Sequence, residues 1–378
     1  MSAVEALPAG PRGRRLLLEY ALLAEQYSGA ESDGSLHTAV VLAAYRLDVD
    51  QGAGVVMFGP GADEARRTVV TADDVADRLS RVRLPEVTAP ALRSALALSV
   101  DFARYWQPPD GQDVLAAAES VRGELLRIAE HVTASPQAQW WWSGQVATDQ
   151  WMVGWEDPDA GFPDESGATP TSTLLSDYAA RVKEQEERAA REWPTDPSAG
   201  VSGEWWSWPP TRCSTRMLSD DSPAGLWFVE DSMGWERAVS RRLHVPEDVR
   251  MYEVDGATAW AALCRRFPVE VTAQKRHDWY DTTGRSGRWV IPDWPLVAEH
   301  YDGVHLTVSG YLVAAGTAIT VDDDTASVIA GWSPDETYWL TDAATSDSGA
   351  TRVWSCDHRG EHPVWTEERQ RPSSSRPH

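Results

Sequence analysis

Nineteen of the chain's twenty tryptophans lie beyond residue 139, and this asymmetry limits what the two halves can become. Each indole needs about 150–250 Å² of cover when buried. The second half must therefore organise itself around large rings, while the first must pack with aliphatic residues. Trp140, Trp141 and Trp142, three adjacent rings at the junction, read as a seam between the two regions. At 378 residues the chain also exceeds what one hydrophobic core usually supports. The fold class expected is α+β: an N-terminal mostly helical domain followed by a Trp-rich mixed α/β domain.

The first region, residues 1–156, shows helical spacing. Leu16, Tyr20, Leu23 and Tyr27 fall on one face of a first helix, which Gly29 to Gly34 ends. Ala53 to Phe58 and Thr68 to Val70 predict a short hairpin across Gly59-Pro60-Gly61. Thr71 with Asp74 three residues later marks a helix start, with Val75, Leu79 and Val82 as its buried stripe. Two longer helices are expected at about 88–106 and 111–134, separated by Pro108-Pro109-Asp110-Gly111.

Residues 157–202 read as a turn-rich linker and then a charged helix, about 171–192, stopped by Pro194 and Pro197. The Trp-rich α+β domain spans 203–342. Its strands are expected near 226–230, 249–254, 303–307, 326–331 and 337–340, with helices near 256–266 and 294–301, the first capped by Asp255. From 343 to 378 the apolar periodicity fades and an irregular, partly disordered tail is expected.

Formal charge is −24, from 58 acidic and 34 basic side chains, so the average surface repels phosphate backbones and anionic lipid head groups. Neither nucleic-acid nor membrane partners are expected. The apolar run Leu16 to Leu18 is interrupted at once by Glu19, and no stretch reaches the roughly 18 apolar residues of a membrane helix. Cys213, Cys264 and Cys356 lack the paired spacing of a disulfide framework or zinc site, which predicts a reducing, cytoplasmic setting. No metal or cofactor is expected, since neither dinucleotide nor P-loop glycine spacing is present.

One segment contradicts the overall acidity. Between Arg265 and Trp289, six basic residues (Arg265, Arg266, Lys275, Arg276, Arg285 and Arg288) face three acidic ones (Glu270, Asp278 and Asp281). Arg276, Arg285 and Arg288, with backbone amides of the 282–287 loop, are candidates for holding a carboxylate, sulfate or phosphate. Trp279, Tyr280 and His305 join them as candidate substrate-binding residues. His277, Asp281 and Asp278 are candidate acid–base groups, because a cation-held anion beside an imidazole and carboxylates is a usable proton-transfer arrangement. Against this stands the structural role, in which the arginines pair with the protein's own carboxylates or cover indole faces.

Gly10-Pro11-Arg12-Gly13-Arg14-Arg15, Lys275 through Trp289, Tyr301 through Thr307 with Gly310-Tyr311-Leu312, and Ala330-Gly331-Trp332 through Leu340 together resemble a family of Trp-rich actinobacterial proteins that mostly carry no assigned function. The resemblance extends over nearly everything up to residue 340. A more distant likeness, carried by no motif residue for residue, is to aziridine-forming proteins of azinomycin-like pathways, which displace a sulfate by an internal amine. The expectation is an enzyme of specialised metabolism that displaces or eliminates a sulfate- or phosphate-type group from a small anionic substrate. Two alternatives stay open. One is an acidic, Trp-rich interaction or immunity-type module that captures a protein partner. The other is an ADP-ribosyltransferase-like domain, which needs an NAD cleft and a catalytic Glu.

Overall fold

The computed structural model describes residues 2–27, 35–48, 57–143, 146–156, 169–232, 234–358 and 363–368. Its first part is helical: α1 (Ala3–Ala6), α2 (Pro11–Tyr27), α3 (Ser35–Leu47), α4 (Ala62–Arg67), α5 (Ala72–Arg81), α6 (Ala89–Asp101), α7 (Gly111–Ala116) and α8 (Glu119–Thr133). There follow β1 (Gln150–Trp155), α9 (Thr171–Glu192), β2 (Cys213–Arg216), β3 (Arg237–His244), β4 (Met251–Val254), α10 (Ala257–Arg266), β5 (Pro268–Glu270) and α11 (Thr272–Thr283). The chain continues through β6 (Arg288–Pro292), α12 (Trp294–His300), β7 (Gly303–Leu306), α13 (Val308–Ala314), β8 (Ile319–Thr320), β9 (Thr325–Ser327), β10 (Thr337–Trp339), β11 (Thr345–Asp357) and β12 (Val364–Glu367). The fold is α+β, with helices first and mixed sheets later.

Local chemistry accounts for several of these boundaries. Thr71 and Asp74 form the expected reciprocal box: the Thr71 hydroxyl accepts from the Asp74 amide at 3.2 Å, and the Asp74 carboxylate accepts from the Thr71 amide at 2.9 Å. Asp110 caps α7 by accepting from the Asp113 amide at 2.8 Å. The charged helix runs over Thr171–Glu192, as its spacing predicts. Other expectations are corrected. In place of the second arm of a hairpin after Gly59-Pro60-Gly61, residues 62–67 form α4, while 53–56 lie outside the described residues. The expected helix over 111–134 is broken at Ala117 and Ala118 into α7 and α8. No strand forms at 226–230, where a 3-10 turn occupies Ala224–Leu226. Asp255 does not cap α10, whose N-cap is Gly256 with no side-chain bond.

Two sheets carry the second half. The larger has strand order β12-β11-β3-β1-β2-β10-β7-β4, antiparallel except for the β4–β7 pair. The smaller runs β5-β6-β9-β8. Residues 345–357 and 364–367, expected to be irregular, are strands at the edge of the large sheet. Arg369 to His378 lie outside the described residues. β1, assigned from sequence to the helical part, is central to the large sheet.

One aliphatic and aromatic core runs from Leu7 and Leu16 in the helices to Trp332 and Leu340 in the sheets. Trp141 is buried within it, and Trp140 and Trp142 pack against it half-buried. The layers meet closely enough that a Cβ on Gly10 would fall 2.2 Å from the Leu312 carbonyl oxygen of α13. Among the described residues, no helix is long and apolar enough to cross a membrane.

Candidate functional site

The side chains of the basic island turn to separate partners. Its central stretch is α11, a helix missed by periodicity because the side chains it buries include Gln274, Lys275, His277 and Asp278 rather than a purely apolar stripe. Asp278 is a fastener: its two oxygens accept from the Ser202 hydroxyl at 2.7 Å and the Gly203 amide at 3.0 Å. Burial pushes its carboxyl above the usual range. Trp279 is core, donating its indole N–H to the Trp205 carbonyl at 2.8 Å. Lys275 is buried too, donating to the Glu204 and Trp206 carbonyls at 2.5 and 2.8 Å, and loss of water brings its ammonium down to about 8.

Arg285 lies over the Trp289 ring at 4.8 Å and donates to the Arg288 and Asp324 carbonyls. Arg288 is exposed and pairs with Glu270 at 2.7 Å. Both therefore serve the structural role weighed against the anion-binding one. His277 and Asp281 do approach each other one turn apart on α11, and Asp281, raised by burial, feels the imidazole. The His277 Nδ1 faces the Pro197 carbonyl at 3.2 Å, and its ring packs on Trp193 at 6.1 Å. Arg276 and Tyr280 lie half-buried on the same helix.

His305 sits in a different place, completely buried in β7 between Glu253 and Asp335, at 2.5 and 3.4 Å. Burial alone would lower its pKa, but the two carboxylates outweigh this and lift it to about 9. Asp335 in turn binds Arg216 at 2.6 Å, and Arg216 covers Trp140 at 4.4 Å. Held between these two carboxylates, His305 ties β4, β7 and the turn before β10 together. Since the folded-state pKa is raised, this stabilisation is complete below about pH 6.5 and disappears as pH rises through about 9. Denaturant titrations at pH 6 and 10 should show wild type losing stability that a His305→Gln variant never had; parallel losses would exclude the assignment.

The cavity that gathers unspent polar groups lies at the seam itself. It has a volume of about 270 Å³ and is bounded by Arg12, Arg14, Arg104, Tyr105, Asp110 and Asp113 from the helices. Thr282, Thr283 and the 316–318 turn close it from the sheet side, but Arg276, Arg285 and Arg288 do not line it. The Thr282 hydroxyl and the Nε atoms of Arg12 and Arg14 have no hydrogen-bond partner. Arg12 donates to the Ser99 carbonyl at 2.8 Å and pairs with Asp113, while Arg15 behind it is shared among Glu19, Asp110 and Asp113. Burial works against both guanidinium charges, yet the carboxylates raise their pKa values.

From the cavity floor a line of titratable groups runs inward. The Tyr105 hydroxyl is close enough to that of Tyr311 to influence its titration but makes no hydrogen bond of good geometry. Tyr311 donates to Glu230 at 3.1 Å. Burial raises Glu230 well above the usual carboxylate range, with Arg12 partly offsetting this. Farther in, burial lifts Glu336 to about 7 beside Cys213 and Tyr338. Glu230, Glu336 and Cys213 are half-buried.

Trp206 and Trp208 stack toward Tyr338 beside this inner group, at 5.5 and 5.8 Å. With Trp205 they are half-buried and do not form the flat exposed patch that a protein-capturing surface would need. Sequence reasoning passed over Arg12, Arg14, Tyr105, Tyr311, Glu230 and Glu336 as chemistry. Their only signal was that four of them lie in the segments Gly10–Arg15, Gly310–Leu312 and Ala330–Leu340. Among the described residues, no group of three or more His, Cys, Asp or Glu is placed to hold a metal. No family model, curated protein or solved structure matches the chain.

Proposed function

We propose that the chain is an enzyme that binds a small anionic molecule in the seam cavity and donates a proton to it. The observation carrying this reading is the convergence of Arg12, Arg14 and Arg104 on one cavity with Tyr105, behind which Tyr311 donates to Glu230. Guanidinium donors and the Thr282 hydroxyl suit a sulfate, phosphate or carboxylate. Tyr105 would protonate a departing oxygen as that oxygen takes the bonding pair, while a nucleophile carried by the substrate itself, such as an amine, bonds to the carbon it leaves and gives its own proton to water. Behind it Tyr311 donates to Glu230, whose charge Arg12 partly neutralises, and the phenol would regain its proton from water entering the cavity. Loss of a sulfate- or phosphate-type group is the reaction class this arrangement fits, within a route of specialised metabolism. Nothing in it needs a nucleic acid or a membrane.

Inorganic sulfate and phosphate are the direct probes, read by calorimetry and by the shift in unfolding midpoint against chloride at matched ionic strength. A ligand at a hundred times its Kd stabilises by about 2.7 kcal/mol. Arg14→Gln and Arg104→Gln should weaken binding roughly tenfold or more, a difference of about 1.4 kcal/mol, whereas Arg285→Ala and Arg288→Ala should leave it intact. No midpoint shift with either anion, or a loss confined to Arg285→Ala, would refute the placement.

A further inference from the structure

A second pocket, about 120 Å³ in volume, lies beside α6 where the ends of β1 and β12 and the segment entering β3 come together. Four indoles face it: Trp155, Trp227, Trp235 and Trp365. Trp155 stacks on Trp235 with centroids 5.8 Å apart and planes at 16°, and Trp365 tilts against Trp155 at 5.6 Å. Trp155, Trp235 and Trp365 thus form a continuous wall, with Trp227 lining the pocket separately, and all four remain half-buried instead of sealed in the core. The carboxylate in the pocket is Asp101, the last residue of α6, which accepts the Ser232 amide at 2.8 Å and is partly desolvated. Among the described residues, neither lysine nor arginine lines the pocket. Arg93 covers Trp227 at 3.6 Å and Arg104 pairs with Asp231 at 3.1 Å, both from outside the lining. His358, which does line it, has its Nε2 at 3.1 Å from the Trp235 carbonyl.

We propose that this pocket is a binding site for a quaternary or N-methylated ammonium head group. Indole faces attract cations through their ring quadrupole, and quaternary ammonium groups gain most because they lose little hydration on entering an aromatic site. A primary ammonium would forfeit hydrogen bonds that an indole wall does not return. Asp101 supplies the counter-charge, and the chain's net charge of −24 draws cations toward the surface. The volume admits a head group of a few heavy atoms but not a nucleotide or an extended glycan. An anion would meet Asp101, and among the described residues no Lys or Arg lines the pocket to receive it. The site is separate from the seam cavity, so its success or failure does not depend on the activity proposed there.

Calorimetric titration of the intact chain with choline chloride, and with 3,3-dimethylbutan-1-ol as its uncharged carbon isostere, tests the proposal. Choline should bind roughly tenfold or more tightly than the isostere, about 1.4 kcal/mol of preference. Trp235→Ala and Asp101→Asn should each remove most of that preference. Asparagine keeps the acceptor for the Ser232 amide, so an unchanged unfolding midpoint in Asp101→Asn separates a binding defect from misfolding. A peptide carrying trimethyllysine distinguishes the sources: tighter binding than choline assigns the cation to a protein tail, and equal or weaker binding to a free small molecule. Equal affinity for choline and its isostere, no choline binding up to ~10 mM, or wild-type affinity in Trp235→Ala would each overturn the proposal.

Discussion

Asp113→Ala is expected to destabilise the protein by about 3–5 kcal/mol, because it removes one partner from a buried ion network and leaves the others charged. Asp113 receives both Arg12 and Arg15, whose side chains are 3% and 0% exposed. After its removal Arg15 retains Asp110 and Glu19, but Arg12 keeps only the Ser99 carbonyl. A guanidinium cannot escape by losing its proton, so the cost appears as lost stability or as water drawn into the seam. Urea unfolding measures it. Pairing Asp113→Leu with Arg12→Met should recover a large part of the loss, since a volume-matched apolar pair leaves no stranded charge. A loss below about 1 kcal/mol for Asp113→Ala would mean that the network is solvated in solution.

Trp332→Ala should cost about as much, roughly 3–5 kcal/mol, by a different mechanism. Trp332 is fully buried and touches three other rings: Trp260 at 5.8 Å, Trp294 at 6.0 Å and Tyr338 at 4.7 Å. These belong to α10, α12 and β10, elements of different layers that cannot all move inward to refill the space. Trp332→Phe keeps a ring in place and should cost clearly less. Because Tyr338 contacts Glu336, the Ala variant should also alter titration of the inner carboxyl. Thermal and denaturant unfolding of both variants, with the near-ultraviolet dichroism of the aromatic cluster, would reveal a site that collapses without penalty.

The sequence was legible where one rule acted alone. Thr71 with Asp74, the pattern of 294–301 and the polar face of 171–192 mark helices that form where expected. It misled where a distant partner decided the outcome. Residues 345–357 carry little apolar alternation, yet they extend along β3 because that edge offers unpaired backbone donors and acceptors. The segment around Arg285 combined charge with glycine and so looked like an anion loop. Its guanidinium instead satisfies two local carbonyls and an indole face, a use of arginine that no spacing reveals. The seam cavity was hidden for the opposite reason, because Arg12, Tyr105, Glu230 and Tyr311 lie far apart along the chain, the hydrogen-bonded pair Glu230 and Tyr311 being 81 positions apart, and only folding brings them together.

The backbone-to-backbone approach of Gly10 to Leu312 has a temporal implication. The amino-terminal helices leave the ribosome long before α13 exists, so their facing surface must wait, uncovered, for most of the chain to be made. Nascent fragments ending near residue 156 should be sticky and chaperone-bound, and full-length release should coincide with acquisition of protease resistance throughout both layers.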